Sequence, residues 1–259
     1  MALFTDGPIN GTQDLALYDS SLLETATAEG IDVDAKISNA QGAMQTEIVT
    51  FLLDNRSIDP VFGDVVSYRR RTVGVTDVVV TAELKRWHAF QALRDVYQDA
   101  NGHQSNDRYQ WKWQEYGTAA RTARTRCLDI GIGLTADPIP RAQAPMVTTV
   151  VGAGAPVTFY FAVALMNAEG QEGLASELVT VNVPAAMQAQ VSVSNPPSNA
   201  QGWNVYAGNG PEALMRQNSG AIAISAAWTQ PDALSAGSAS GNGQTPSFYA
   251  VQNRVIRRG

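Results

Sequence analysis

The sequence predicts an α+β protein of two domains. A four-helix bundle with an extended arm covers residues 1–141, a β-sandwich covers residues 142–236, and a flexible linker with a C-terminal tail covers residues 237–259. Three observations carry this prediction. Apolar residues recur at helical spacing in the first half, whereas the second half holds short β-rich runs between Pro, Gly and Asn. Residues 1–141 hold 19 acids and 14 bases, but residues 142–246 hold five acids and a single base, Arg216. That fall coincides with the proline cluster Asp137 to Pro145, and prolines stiffen a connection and stop helices.

Each element follows from local pattern. "QDLALYDSSLLETATAEG" predicts a short first helix ended by Gly30. In the second, Val33, Ile37, Ala40, Met44, Ile48 and Phe51 fall on one face, and Asp32 and Asp34 place negative charge at its N-terminus. A third, within "VTDVVVTAELKRWHAFQALRDVYQDANG", aligns Phe90, Leu93 and Tyr97 and stops at Asn101-Gly102. The fourth begins near Ser105 to Asp107, with a stripe of Tyr109, Trp113, Tyr116, Ala120, Ala123, Cys127 and Ile130 and an end at Gly131 and Gly133. Its small residues imply close approach of a neighbour, so the half reads as a bundle.

Between the second and third helices, Asn55 to Asp77 has no helical period and contains Pro60, Gly63 and Gly74. A connection that long calls for a hairpin or an arm that reaches a neighbour. Its basic site, Tyr68, Arg69, Arg70 and Arg71, has three readings: a solvated loop, a contact with an acidic protein surface, or a contact with DNA that Asp64 and Asp77 dilute. Arg121 and Arg124 extend a basic strip or pair with acids of the same bundle.

In the second half, "VTFYFAVALMN", "LASELVTVNVP", "AQVSVSN", "GWNVYAG" and "AIAISAAWT" predict strands of a sandwich. "VVGAGAPV" imitates a dinucleotide-binding turn, but Val157 occupies the third glycine position and a strand follows where a helix is required, so a strand-to-strand turn is expected. The linker "SAGSASGNGQTP" offers nothing to bury, and "SFYAVQNRVIRRG" after it is aromatic and basic with no acid.

Composition narrows the function. A net charge of −6 argues against wrapping a nucleic-acid backbone. One cysteine, Cys127, excludes an internal disulfide and fits a reducing compartment. Neither a signal peptide nor a membrane-length apolar run is evident, so a soluble protein of the cytoplasm is expected. His88 and His103 are the only histidines, without metal-ligand spacing, and no carboxylate pair stands out. His88 reads as a helix-surface or packing residue and Cys127 as a buried thiol. No catalytic residue, metal site or cofactor is expected.

The order of "LALYDSSLLETATAEGIDVDAKISNAQGAMQTEIVTFLL", an arm, the Trp-bearing "LKRWHAFQALRDVY" and the long "NDRYQWKWQEYGTAARTARTRCLDIGIG" resembles the head-to-tail adaptor (connector) proteins of tailed bacteriophages. The resemblance covers about residues 12–140, with the tail added by arrangement, and rests on helix order without a short diagnostic motif. "GLASELVTVNVP" and "GWNVYAGNG" resemble the Ig-like and fibronectin-like modules appended to phage structural proteins.

The likeness implies a structural protein of the virion neck, assembled in the host cytoplasm as a homo-oligomeric, dodecameric ring. Such a ring binds the portal protein, extends the DNA channel without sequence-specific binding, and carries the downstream neck or tail-terminator protein. An acidic lumen would let the duplex slide. The arm and the exposed faces of the third and fourth helices would form the ring interface. It also implies a portal-docking tail of Phe248, Tyr249, Val251, Arg254, Val255, Ile256, Arg257 and Arg258. The interposed β-domain leaves a second role for that peptide, as a strand completing a sheet in its own domain. The alternative function is a carbohydrate- or surface-binding module multimerised by helices, with Trp203, Tyr206 and Trp228 either stacking on sugars or filling the sandwich core.

Overall fold

Asp19 breaks the first helical stretch in two. Its carboxylate accepts hydrogen bonds from the Ser21 backbone N–H at 3.0 Å and the Ser21 hydroxyl at 2.8 Å, a local turn that competes with helix. The chain therefore forms α1 (Thr12–Ala16) and α2 (Leu22–Glu29) where one helix was expected. Gly30 ends α2 in the left-handed region at φ 66°, the usual role of glycine there. The computed structural model describes residues 1–54, 73–102, 107–241 and 243–251. Tyr68, Arg69, Arg70, Arg71 and His103 lie outside these residues, as do Arg254, Val255, Ile256, Arg257 and Arg258.

The helical period governs the next three elements. In α3 (Val33–Asp54) the whole expected stripe, Val33 through Phe51, is buried. Asp32 caps it by accepting the Ala35 N–H at 3.0 Å. The next helix, α4 (Ala82–Gly102), buries Trp87, His88, Leu93 and Tyr97. Following it, α5 (Gln110–Ile130) begins later than Ser105 to Asp107 and buries Tyr116, Ala120, Ala123 and Cys127. Ile130, expected on that stripe, is 46% exposed. Leu15, Leu22, Ile37, Leu93, Tyr97 and Tyr116 share one core, so the described helices of this half number five, not four.

Gly131 closes α5 at φ 107°, but Gly133, expected to help stop the helix, lies in a strand. That strand, β1 (Ile132–Leu134), pairs antiparallel with β9 (Phe248–Ala250), with Leu134 opposite Phe248 and Gly133 opposite Tyr249. On its other side the Val79 N–H donates to the Gly133 carbonyl at 2.9 Å.

The remaining strands make two antiparallel sheets. One has the order β2-β5-β8, from Met146–Val151, Met187–Ser192 and Trp228–Thr229. The other has the order β4-β3-β6-β7, from Val179–Val183, Val157–Met166, Gly202–Gly208 and Met215–Arg216. Phe161, Val163, Val183, Val191, Trp203 and Val205 draw both sheets into one apolar cluster. The "VVGAGAPV" segment leaves β2 at Val151 and enters β3 at Val157, a strand-to-strand connection. Of "AIAISAAWT", expected as a full strand, only Trp228 and Thr229 pair as one, with a single bridge from Ile222 to Trp203.

By its contacts the chain divides into two compact units, each assembled from two stretches. Residues 1–6 and 135–245 form the β unit, and residues 7–134 with the chain from 246 form the helical unit. Residues 135–141, read from sequence as helical-domain residues, join the β unit through Asp137, whose carbonyl accepts the side-chain amide of Asn167 at 2.8 Å. The linker read as flexible is hydrogen-bonded at both ends. The Arg216 N–H donates to the Ser238 carbonyl at 2.8 Å, and the buried Gln244 amide accepts the Ile139 N–H and donates to the Asp137 carbonyl, each at 2.9 Å. Its composition lacked apolar anchors because polar side chains and backbone hold it instead.

Candidate functional site

The densest chemistry in the helical unit lies where the α1–α2 turn meets α4 and α5. The Lys112 ammonium donates to both Asp19 oxygens, at 3.0 and 2.7 Å, to the Ser21 hydroxyl at 2.6 Å and to the Tyr97 hydroxyl at 3.0 Å. The Tyr97 and Tyr116 hydroxyls donate to Asp19 at 2.6 and 2.9 Å. Asp19 and Tyr97 are buried, and the ammonium sits 4.7 Å above the Tyr97 ring. Beside the cluster lies a cavity of about 230 Å³ reached by Glu24, Thr25, Arg108 and the largely exposed Trp111.

Electrostatics shift three groups of this cluster, Asp19, Lys112 and Tyr116. Burial alone would raise the Asp19 pKa, but the hydrogen bonds from Lys112, Tyr97 and Ser21 outweigh it and hold the carboxyl well below the usual range. Desolvation opposes the Lys112 charge, and Asp19 more than restores it, so the ammonium is held above its ordinary pKa. Burial and then Asp19 push the Tyr116 phenol up. The arrangement ties the α1–α2 turn to α4 and α5. Sequence reading missed it, although Asp19-Ser20-Ser21 is a turn-and-cap signature.

The tail begins as part of its own chain. Besides the β1 pairing, the Ser247 N–H donates to the Leu134 carbonyl at 2.8 Å. Glycines make the close approach possible: a Cβ on Gly131 would stand 2.8 Å from the Ala250 carbonyl oxygen, and one on Gly133 2.9 Å from the Pro246 ring. Phe248 is half-buried, while Tyr249 and Val251 remain about half exposed. The expectation that this peptide is free until it docks is therefore corrected for Phe248, Tyr249 and Ala250, which gain their order from β1.

Other candidate residues find ordinary partners. Arg124 pairs with Glu47, and Arg126 lies 3.4 Å from Glu83. Arg121 donates to the Thr118 hydroxyl at 3.2 Å. His88 is a packing residue, with Nε2 donating to the Ile37 carbonyl at 3.1 Å and Nδ1 accepting from the Asn10 amide at 2.9 Å. Cys127 is buried, and burial, with Glu83 adding to it, pushes its thiol up to about 12. In the β unit Trp203 and Tyr206 are fully buried and Trp228 packs edge-on against Phe161, so the proposed sugar-stacking residues fill core positions. No helix among the described residues is long and apolar enough to cross a membrane. Among them no group of three or more His, Cys, Asp or Glu is placed to hold a metal ion. The sequence matches no protein-family model and no curated protein.

Proposed function

We propose that this chain is a structural component of a phage neck, an adaptor whose helical unit builds a ring on the portal. The observation that carries the reading is the anchorage of the tail. Because β9 ties Phe248–Ala250 to β1 at the end of α5, the segment bearing Arg254, Arg257 and Arg258 starts from a fixed point of the helical unit. Tethering of this kind removes part of the entropy cost of docking, about 1–2 kcal/mol for each residue already ordered. Tyr249 and Val251 keep exposed surface beside that start, and the arginines add steering toward an acidic partner. In a closed ring all tails engage together, which makes a marginal contact lasting.

Helix order supports the same reading: a short pair α1–α2, the long α3, the Trp-bearing α4, then α5 leading into the tail's anchoring strand. The β unit is read as an Ig- or fibronectin-like module carried by the ring. Its support is the strand order, β2-β5-β8 in one antiparallel sheet and β4-β3-β6-β7 in the other, so that β2 pairs with β5 and β3 with β6 across the sequence.

The test compares the full chain with one ending at Val251, each mixed with portal protein and imaged by electron microscopy. The shortened chain should keep its fold and its ring but lose portal attachment. Absence of rings and of portal binding in both samples would overturn the proposal.

A further inference from the structure

One sheet of the β unit ends in a strand that lacks the usual protection of an edge. In the order β2-β5-β8, β2 has β5 on one side and, among the described residues, no strand on the other. A free row of N–H and C=O groups templates pairing with another chain, so exposed edges ordinarily carry Lys, Pro or a bulge. The β2 sequence is MVTTVV, its register against β5 runs one-to-one without a bulge, and no residue from 142 to 168 is charged. Met146, Thr148, Thr149 and Val151 are exposed, Val151 to 87%.

The ladder decides which groups face outward. Along an antiparallel strand, residues that exchange hydrogen bonds with their neighbour alternate with residues that turn N–H and C=O away from it. The Gly152 N–H donates to the Ala186 carbonyl at 2.9 Å, and pairing continues from Val151 opposite Met187 to Met146 opposite Ser192. Even-numbered residues of β2 therefore bond β5, and Val147, Thr149 and Val151 present their backbone groups to the unpaired side. The far side of β5 agrees. There the Gln230 N–H donates to the Ala189 carbonyl at 2.8 Å, so Ala189 turns to β8 while Gln188 and Gln190 turn to β2.

This row is complementary to itself. A second copy laid antiparallel must oppose outward-facing residues with outward-facing residues. Centred on Thr149, the pairing sets Thr149 opposite Thr149, Val147 opposite Val151 and Thr148 opposite Val150, and all three outward-facing residues exchange hydrogen bonds. Shifted one way, it sets Val151 opposite Pro145, which has no N–H to give. Shifted the other way, it sets Val147 opposite Ala153, beyond the end of the strand. Thr–Thr and β-branched pairs are favourable across strands, whereas like charges directly opposite are not. Two chains of net charge −6 repel each other, but this edge sets no charge against another.

We propose that the outer edge of β2 is a self-association site: two copies join antiparallel through Val147–Val151, about a two-fold axis at Thr149, and their sheets become one. Such a contact uses the same patch on both chains and closes on itself. It concerns the β unit and does not depend on the ring reading.

The experiment is disulfide trapping in the full chain. Thr149→Cys sets two thiols across the axis, where Cα atoms of a hydrogen-bonded pair stand about 5.5 Å apart, within the reach of a disulfide. Cys127 is buried and does not compete. Mild oxidation should give a band of two chains on a denaturing gel, and reduction should remove it. Thr229→Cys, exposed on β8 at the opposite edge of the sheet, should give no such band. Adding Val151→Lys to Thr149→Cys should abolish the band with circular-dichroism melts unchanged, because residue 151 is exposed and turned away from β5. Equal bands from Thr149→Cys and Thr229→Cys, or a band that survives Val151→Lys, overturns the proposal. Rings on the portal without the Thr149→Cys band overturn this contact and leave the neck reading in place. The band in a chain that forms no ring, with or without portal, does the reverse.

Discussion

Asp19 shows how one residue sets local structure and stability together. Asp19→Asn preserves shape but leaves the Lys112 ammonium, itself only 18% exposed, without its counter-charge. Breaking a buried pair in this way should cost about 3 kcal/mol, read as a lower urea midpoint. The wild-type carboxyl is depressed, so its contribution is complete above the ordinary value of 3.8 and fades as pH falls below it. His88 acts in a different window. Burial lowers its pKa below 6.5, with the Ile37 carbonyl only partly opposing, and a proton on Nδ1 would face the Asn10 amide, a donor. The unfolded chain then binds more protons than the native one, so stability is full above pH 6.5 and declines below it. Urea melts should lose up to about 1 kcal/mol between roughly pH 6.5 and 5.5, a decline that His88→Gln should flatten. The role of His88 was half legible, since its place on α4 next to Trp87 allowed either face. That of Asp19 was not, because Lys112 lies 93 residues away.

Elements were legible where a local period decides them. The α3 stripe is a case in which spacing alone named the buried face, and the strand after "VVGAGAPV" is another. Strands whose pairing is set from afar were not legible: β9 has only three residues, and its place depends on glycines more than a hundred positions earlier. Gly131 carries two demands, a φ of 107° and room for Ala250 and Val251. Gly131→Ala should meet both penalties, about 1–3 kcal/mol of backbone strain plus displacement of the tail strand. Hydrogen exchange should then quicken at Ser247, whose N–H is held by Leu134, while the amides of α3 keep their protection. Equal quickening throughout α3 would mean the glycine supports the whole core and not the tail.

At the level of the whole chain, composition marked two chemistries correctly but misjudged what makes a segment ordered. The stretch from Ser235 to Pro246 looks unstructured by composition, yet Gln244, 1% exposed, pins it to Asp137 and Ile139. Gln244→Ala would leave the buried Ile139 N–H without a partner and should cost the β unit about 2 kcal/mol, with faster exchange at Ile139 as the readout. Anchors of this sort reverse the order in which the parts can finish. Residues 7–134 leave the ribosome early, yet β1 waits for Phe248–Ala250 until nearly all of the β unit has been synthesised. Nascent helical units thus carry an unsatisfied strand through most of translation, and a product cut short before residue 246 never closes it. Final maturation is therefore reserved for chains synthesised past Ala250.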